Sequence, residues 1–275
     1  MKREFYFHDK YDELTHDLMI TIPSYDTIKT YYKEFDEKIK KPDLYGKTVK
    51  VSSKQFPNVH RILTTLSQEI GMEAPEVFVY ENFYYEIESY GTDKPWIEVS
   101  AKTIADFNDE ELKFLFAREF FKIKNGITEL YMVSEQCLRI VNENLSIVVI
   151  SDSLAKIFKV KYAQWSRVCQ FSADNFAFLH TRISAKGNSC CIGDLRTCLA
   201  VMLTMILNNR KLVEVVDLPE YLNSAVDINR LDDSVSTFTK NDERMPYGQF
   251  RIKNLIRFAS LTETLNYFEK RGSFK

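Results

Sequence analysis

Three charged residues, Arg118, Glu119 and Lys122, lie close together in one predicted helix and have a spacing that could serve chemistry. The helix is predicted over residues 108–125, because Asn108 can cap its first turn and acidic residues follow where the helix dipole favours them. On a helix, positions 118 and 122 share one face, which is the spacing with which the motif H-E-x-x-H holds zinc. Here both ligand positions carry cations. The sequence therefore combines the spacing of a metal site with side chains that repel a metal ion.

The segments around this helix predict an α+β fold that is mainly helical and has a small antiparallel or mixed sheet. Apolar runs bounded by turn residues predict strands over residues 75–80, 84–90 and 96–100. Helical periodicity predicts helices before and after them, including one over residues 24–41 that Pro42 should end. No internal repeat or linker is visible. We therefore expect an N-terminal helical arm, residues 1–47, followed by one domain, residues 48–275.

Composition narrows the classes of partner. The 275 residues carry a formal net charge of −2, so the chain has no net positive charge that would attract it to nucleic acid or to an anionic membrane. We expect neither a signal peptide nor a membrane span, because no window approaches the required run of apolar residues. Five cysteines form an odd set without C-x-x-C spacing, which favours neither a disulfide framework nor a zinc knuckle. A cytoplasmic location is the expectation.

Six segments of the sequence form a recognisable series: APEVFV (74–79), WIEVS (96–100), DEEL (109–112), AREFFKIKNG (117–126), CQFSAD (169–174) and RMP…RIKNL (244–255). In order and spacing they resemble the HtpX-like gluzincin peptidases, including the compact minigluzincins. In that family one helix reads A-H-E-x-x-H-I-x-N-G, and a later helix reads E-x-x-A-D, whose glutamate completes the zinc site. The resemblance spans about residues 57 to 268 and implies a zincin-like cleft between the sheet, the helix of the motif and the C-terminal helices.

The resemblance implies that Arg118, Lys122 and Gln170 stand at the three zinc-ligand positions. Arginine has only hydrogen-bond donors and stays protonated, so it cannot coordinate a metal. Lysine could do so only after losing a proton, and a neutral amide oxygen is a poor ligand for zinc. We therefore expect no metal and no other cofactor; zinc is expected only if the site binds metal in an altered way.

Glu119 matches the general base of the family, which takes a proton from zinc-bound water. Without zinc, a carboxylate is far too weak a base to take a proton from unactivated water, and the roughly 10² to 10⁴-fold benefit of a positioned base does not bridge that gap. Asp174 and Arg251 match positions that support the zinc ligands, whereas Met245 stands where the family usually has a histidine. The resemblance also implies a peptide-binding strand near Tyr84, Tyr85, Glu86 and Ile87, which could instead be an edge strand covered by its own protein.

These observations predict a metal-free, catalytically inactive peptidase homologue that binds a peptide or partner protein in the retained cleft. We expect Arg118 or Lys122 to pair with Glu119 and Asp174 and to bond to Gln170 in the place of zinc. Three alternatives stay open: a metalloendopeptidase with an altered zinc site, a cysteine chemistry through Cys190 or Cys191, and a vestigial cleft in an oligomerisation module that uses the N-terminal arm. The oligomeric state, the ligand and the pathway are not specified by the sequence.

Overall fold

Four strands form one mixed sheet in the order β1-β2-β4-β3. The computed structural model describes residues 5–144, 149–181, 195–230 and 244–273. Strand β2 runs parallel to β4, whereas β1 pairs with β2 and β3 pairs with β4 in antiparallel fashion. The sheet is thus mixed, and β3 lies at one edge. The strands are β1 (Val49–Lys50), β2 (Glu76–Tyr80), β3 (Ile87–Tyr90) and β4 (Trp96–Ser100).

Helices make up most of the described chain, which confirms the predicted α+β fold with a small sheet. A π-helical segment, Tyr32–Asp36, connects the second and third helices. No helix in the described ranges has the length and apolar character needed to cross a membrane. The helices are α1 (Tyr11–Met19), α2 (Tyr25–Tyr31), α3 (Glu37–Lys47), α4 (Pro57–Ile70), α5 (Ala101–Asp106), α6 (Asp109–Lys124), α7 (Ile127–Asn144), α8 (Val149–Leu179), α9 (Leu195–Leu207), α10 (Arg210–Val213), α11 (Leu218–Arg230), α12 (Gly248–Ala259) and α13 (Thr262–Ser273).

Helix α6 is buried along most of its length. Its start is fixed by a capping box, in which the Asn108 side chain accepts from the N–H of Glu111 and the Glu111 carboxylate accepts from the N–H of Asn108. All residues from Phe114 to Lys122 are buried, including the three charged ones. The helix ends before Gly126, whose φ of 69° favours glycine. The predicted helix and its cap are confirmed.

The prediction that Pro42 ends a helix is wrong, because α3 continues through Pro42 to Lys47. Beyond the proline, Leu44 packs with Phe78 and Trp96 in a small buried cluster. Burial of this apolar side chain offsets the loss of one backbone hydrogen bond at the proline. Tertiary packing therefore overrides a strong local signal.

The N-terminal residues pack into the main hydrophobic core. Tyr11, Leu18, Ile22 and Ile28 are buried in the same cluster as the apolar residues of α6 and α8. The indole N–H of Trp165 on α8 donates to Thr15 Oγ1 of α1 at 3.0 Å. Between Tyr11 and Ile28 the predicted arm is thus attached to the rest of the chain by buried contacts.

Candidate functional site

Helices α6 and α8 bring Arg118 and Gln170 together inside the protein. The Nη2 of Arg118 donates to Gln170 Oε1 at 2.5 Å, although 52 positions separate the two residues in the sequence. The Nε of Arg118 lies 2.7 Å from Asp174 Oδ1, an ion pair in which the N–H does not point at the oxygen. Gln170 and Asp174 stand one turn apart on α8. Three residues that the resemblance selected, Arg118, Gln170 and Asp174, therefore lie in contact with one another or one turn apart.

Asp174 is shared by two arginines. Arg251 of α12 donates from Nε to Asp174 Oδ2 at 2.9 Å and from Nη2 to Oδ1 at 2.8 Å, a bidentate pair. Burial lowers the pKa of Arg118, and the neighbouring Asp174 only partly opposes this effect. Burial also acts on Arg251, but the carboxylate of Asp174 raises the pKa of that guanidinium above its ordinary value. Asp174 thus accepts two directed hydrogen bonds from Arg251, whereas the Nε–H of Arg118 does not point at it.

Glu119 and Lys122 form a second ion pair beside the first. The Nζ of Lys122 lies 2.7 Å from Glu119 Oε2 and 3.6 Å from Glu88 Oε1 on β3. Glu119 Oε2 also accepts from the backbone N–H of Ser89 at 2.8 Å. Its other oxygen, Oε1, has no hydrogen-bond partner within the described residues, and the side chain is closed off from solvent. Glu119 therefore binds an internal cation and a strand.

Five of the side chains described above are both buried and of charged type, and we call them the charge cluster. It contains three cations and two carboxylates, and the partly exposed carboxylate of Glu88 lies 3.6 Å from Lys122 Nζ. The pairing of cations with Glu119 and Asp174 and the bond to Gln170 are the predicted contacts. The members are Arg118, Glu119, Lys122, Asp174 and Arg251.

The donor set of the charge cluster does not fit zinc. Zinc takes neutral imidazole, thiolate or carboxylate ligands in a tetrahedral arrangement. Arg118 can only donate, Lys122 uses its ammonium to pair with Glu119, and Gln170 uses its amide oxygen to accept from Arg118. No group of three histidine, cysteine or acidic side chains suited to a metal occurs within the described residues.

Tyr131 on α7 contacts Gln170 beside the charge cluster, although no sequence pattern pointed to this tyrosine. Its hydroxyl accepts from Gln170 Nε2 at 3.3 Å and also bonds to Ser166 of α8. Burial raises the pKa of Tyr131, so the phenol stays neutral and can donate. No spacing in the sequence links Tyr131 to Gln170, because the contact depends on how α7 packs against α8.

The remaining predicted positions lie at the periphery. Met245 is 45% exposed, and its sulfur is 3.8 Å from Arg251 Nη1. Of the predicted peptide-binding residues only Ile87 belongs to β3; Tyr84, Tyr85 and Glu86 precede the strand. Tyr85 is buried and its hydroxyl donates to Asp106 at 2.7 Å, whereas Tyr84 is exposed. The prediction of a strand over all four residues is wrong, because the backbone N–H groups of Tyr84 and Tyr85 donate to the side chains of Asn82 and Asn208 and not to a neighbouring strand.

The edge of β3 that does not pair with β4 is partly covered by side chains of α6 and α7. Glu86 and Ser100 are joined by the Ser100 N–H, which donates to the Glu86 carbonyl at 2.9 Å. In an antiparallel pair the hydrogen-bonding residues alternate, so Ile87 and Ser89 direct their backbone groups away from β4. The outward N–H of Ser89 is the one that donates to Glu119, and its hydroxyl bonds to Thr128 of α7 at 2.7 Å. At Ser89 the edge is therefore covered by its own protein.

Cysteine and histidine chemistry receives no support within the described ranges. Cys190 and Cys191 lie outside the described residues. Cys169 is buried next to Gln170, and burial raises the pKa of its thiol, which opposes formation of a nucleophilic thiolate. His180 lies with Nδ1 3.2 Å from Glu69 Oε2 and takes no part in the charge cluster.

Comparison with known proteins adds no relative to this picture. No family model, no curated protein and no solved structure matches the chain.

Proposed function

We propose that this chain is a metal-free, catalytically inactive homologue of the HtpX-like peptidases, which binds a polypeptide or partner protein without cleaving it. The observation that carries the proposal is the 2.5 Å contact between Arg118 and Gln170. These residues stand at two zinc-ligand positions of the resembling family, on helices that are distant in sequence. Their meeting supports a gluzincin frame whose centre now holds ion pairs.

The chemistry of the site supports the absence of hydrolysis. Peptide hydrolysis by the mechanism of that family needs a Lewis acid to activate water and to stabilise the oxyanion. The cations of the cluster are engaged with Asp174, Glu119 and Gln170, and Glu119 is buried without contact to solvent. A carboxylate in this position neutralises Lys122 and orients β3.

The binding role fits the surface beside β3 better than the charge cluster itself. The cluster is buried and the outward N–H of Ser89 already donates to Glu119. Phe83 and Tyr84, immediately before β3, are 80% and 65% exposed. Exposed aromatic side chains of this kind are frequent anchors in protein interfaces. We infer that a partner contacts this aromatic segment next to the strand edge.

Elemental analysis and a rebuilt zinc site test the proposal. The purified wild-type chain is expected to contain no stoichiometric zinc and to bind casein without cleaving it. The triple variant Arg118→His, Lys122→His, Gln170→Glu restores the family ligands, so zinc is expected to bind it and to raise its Tm. In the matched control, Lys124→His replaces Lys122→His and moves the second imidazole off the shared helix face.

Two outcomes would contradict the proposal. Stoichiometric zinc and chelator-sensitive cleavage by the wild-type chain would establish the alternative of an altered metallopeptidase. A folded triple variant that binds zinc no better than the control would show that the helices do not have the gluzincin arrangement.

A second candidate, an oligomerisation module, is favoured by one observation on the N-terminal arm. Tyr31, Phe35 and Ile39 form an exposed apolar stripe, and the rings of Tyr31 and Phe35 stack with centroids 4.8 Å apart. If this stripe joins copies of the chain, the double variant Phe35→Ser, Ile39→Ser lowers the mass in solution. A monomeric wild-type chain would exclude this candidate.

A further inference from the structure

A pocket of about 460 Å³ lies between the N-terminal segment, α8 and the C-terminal helices α12 and α13. No member of the charge cluster lines it. Its volume falls within the range of roughly 300 to 1,000 Å³ that is typical of small-molecule sites. The pocket is therefore a separate feature that can be judged by its own chemistry.

Aromatic and aliphatic side chains form the apolar part of this pocket. Phe5, Phe7, Phe258 and Leu261 line it, and the rings of Phe5 and Phe258 lie 5.4 Å apart at an angle of 47°. Tilted rings present both faces and edges, which are the surfaces that a further aromatic ring packs against. The apolar part thus suits an aromatic group.

Two hydrogen-bond donors line the pocket and suit a carboxylate. Arg257 is exposed, and its guanidinium makes no ion pair within the described residues. His8 Nδ1 accepts from the backbone N–H of Lys10 at 3.3 Å, which leaves Nε2 as the protonated nitrogen of the neutral ring. Burial, with Arg257 and Lys10 nearby, lowers the pKa of His8 despite the opposing charge of Asp9. A guanidinium and an imidazole N–H are common partners of a carboxylate.

Two carboxylates line the same pocket and suit a cation. The side chains of Asp9 and Glu263 enter no ion pair within the part of the chain that the structure describes. A simple anion would meet repulsion from both, and a simple cation would meet repulsion from Arg257. A ligand that carries an ammonium group and a carboxylate group on the same carbon offers a partner to all three groups.

We propose that this pocket binds a free α-amino acid with an aromatic side chain. The carboxylate of the amino acid pairs with Arg257 and His8, its ammonium pairs with Asp9 and Glu263, and its ring packs on Phe5 and Phe258. Neither the peptidase frame nor its charge cluster is required for this binding.

Calorimetric titration of the full chain with L-phenylalanine tests the proposal. We expect saturable binding at one site. The affinity should fall at least tenfold in Arg257→Gln and in Asp9→Asn, because each variant leaves one charge of the ligand unpaired. Lys253→Gln is the matched control, since Lys253 is exposed on the same helix but does not line the pocket, and its affinity should stay unchanged.

Two analogues distinguish zwitterion recognition from simpler binding. 3-Phenylpropionate lacks the ammonium group and phenethylamine lacks the carboxylate, so both should bind at least tenfold more weakly than L-phenylalanine. The absence of saturable binding would overturn the proposal. Equal affinity for either analogue would overturn it as well, and so would an equal loss in Lys253→Gln.

Discussion

Asp174 is the residue on which the buried electrostatics depend most. It accepts two hydrogen bonds from Arg251 and also forms an ion pair with Arg118. Two guanidinium groups thus share the carboxylate of Asp174. Lys122, in contrast, forms its ion pair with Glu119 and lies farther from a second carboxylate, that of Glu88. The two arginines should therefore differ in what each contributes to stability, because only Arg251 makes well-directed hydrogen bonds to Asp174.

Replacing the two arginines by methionine should separate these contributions. Arg251→Met removes the bidentate pair and should lower the free energy of unfolding by about 3 kcal/mol or more, as expected for a broken buried pair. Arg118→Met leaves that pair intact and removes the guanidinium whose pKa is lowered by burial, so a loss of only about 1 kcal/mol is expected. Urea unfolding measures both values.

Asp174→Asn is the control for this comparison. It leaves both guanidinium groups buried without their shared carboxylate, so its loss of unfolding free energy should exceed that of either arginine variant. Equal losses in the two arginine variants, or a larger loss in Arg118→Met, would contradict the assignment of Arg251 as the main partner.

Helix α6 positions three members of the charge cluster, and its first turn is held by the capping box and by a neighbouring helix. The guanidinium of Arg210 on α10 donates to both oxygens of Glu111, at 2.8 and 2.7 Å. Glu111 thus serves the cap and an ion pair at once. The start of α6 is therefore fixed both locally and through tertiary contacts.

Asn108→Ala should destabilise the protein by about 1 kcal/mol, because two N–H groups of the first turn lose their acceptor. Asn108→Ser keeps an oxygen acceptor at the cap and should restore most of that loss. Chemical denaturation of the two variants measures the difference. A negligible loss in Asn108→Ala would show that the cap contributes little beyond the Arg210 and Glu111 pair.

The N-terminal segment before α1 packs against α6 and α8 through aromatic contacts. The ring of Phe7 lies 5.1 Å from that of Phe121, and the ring of Tyr6 lies 5.1 Å from that of Phe176. The N–H of His8 donates to Ser172 Oγ on α8 at 2.9 Å. This segment therefore covers the two helices that carry the charge cluster.

Phe7→Ala should lower the free energy of unfolding by about 2 kcal/mol, since a partly buried ring leaves a gap beside Phe121. Phe83→Ala is the matched control, because Phe83 is 80% exposed and its loss should change stability by less than about 0.5 kcal/mol. Thermal and urea unfolding compare the pair. An unchanged free energy of unfolding in Phe7→Ala would show that the N-terminal segment contributes little to the stability of the core.

At the scale of the whole molecule, the sequence predicted features that depend on local signals and missed those that depend on packing. The cap at Asn108, the end of α6 near Gly126 and the small sheet follow from residue preferences. The resemblance to a known family led us to expect Arg118, Lys122 and Gln170 in one common site. The donation from the Ser89 backbone to Glu119 has no sequence signal, because any residue there supplies an N–H.

The continuity of α3 through Pro42 and the position of Tyr131 were missed for a related reason. Both depend on contacts between elements that are distant in the chain, Leu44 with the sheet and Tyr131 with Gln170. Local propensity is a weak guide where tertiary packing decides. The same limit applies to the N-terminal arm, whose attachment to the core is visible only in three dimensions.

Removal of residues 1–47 should therefore abolish cooperative folding. The deletion would expose Phe121, Trp165 and Phe176, which are buried in contact with the N-terminal segment and α1. Exposure of three large apolar side chains, each worth about 1.5 to 3 kcal/mol, amounts to about 4.5 to 9 kcal/mol. Domains of this kind have a total stability of about 5 to 15 kcal/mol.

Circular dichroism during heating and size-exclusion chromatography of the 48–275 fragment measure this outcome. We expect no sharp unfolding transition and a tendency to aggregate, whereas the full chain unfolds cooperatively. A soluble, monomeric fragment with a sharp transition would show that the arm is dispensable for folding. In that case its exposed stripe of Tyr31, Phe35 and Ile39 would be the main remaining reason for its presence, because its buried residues would contribute little to the stability of the core.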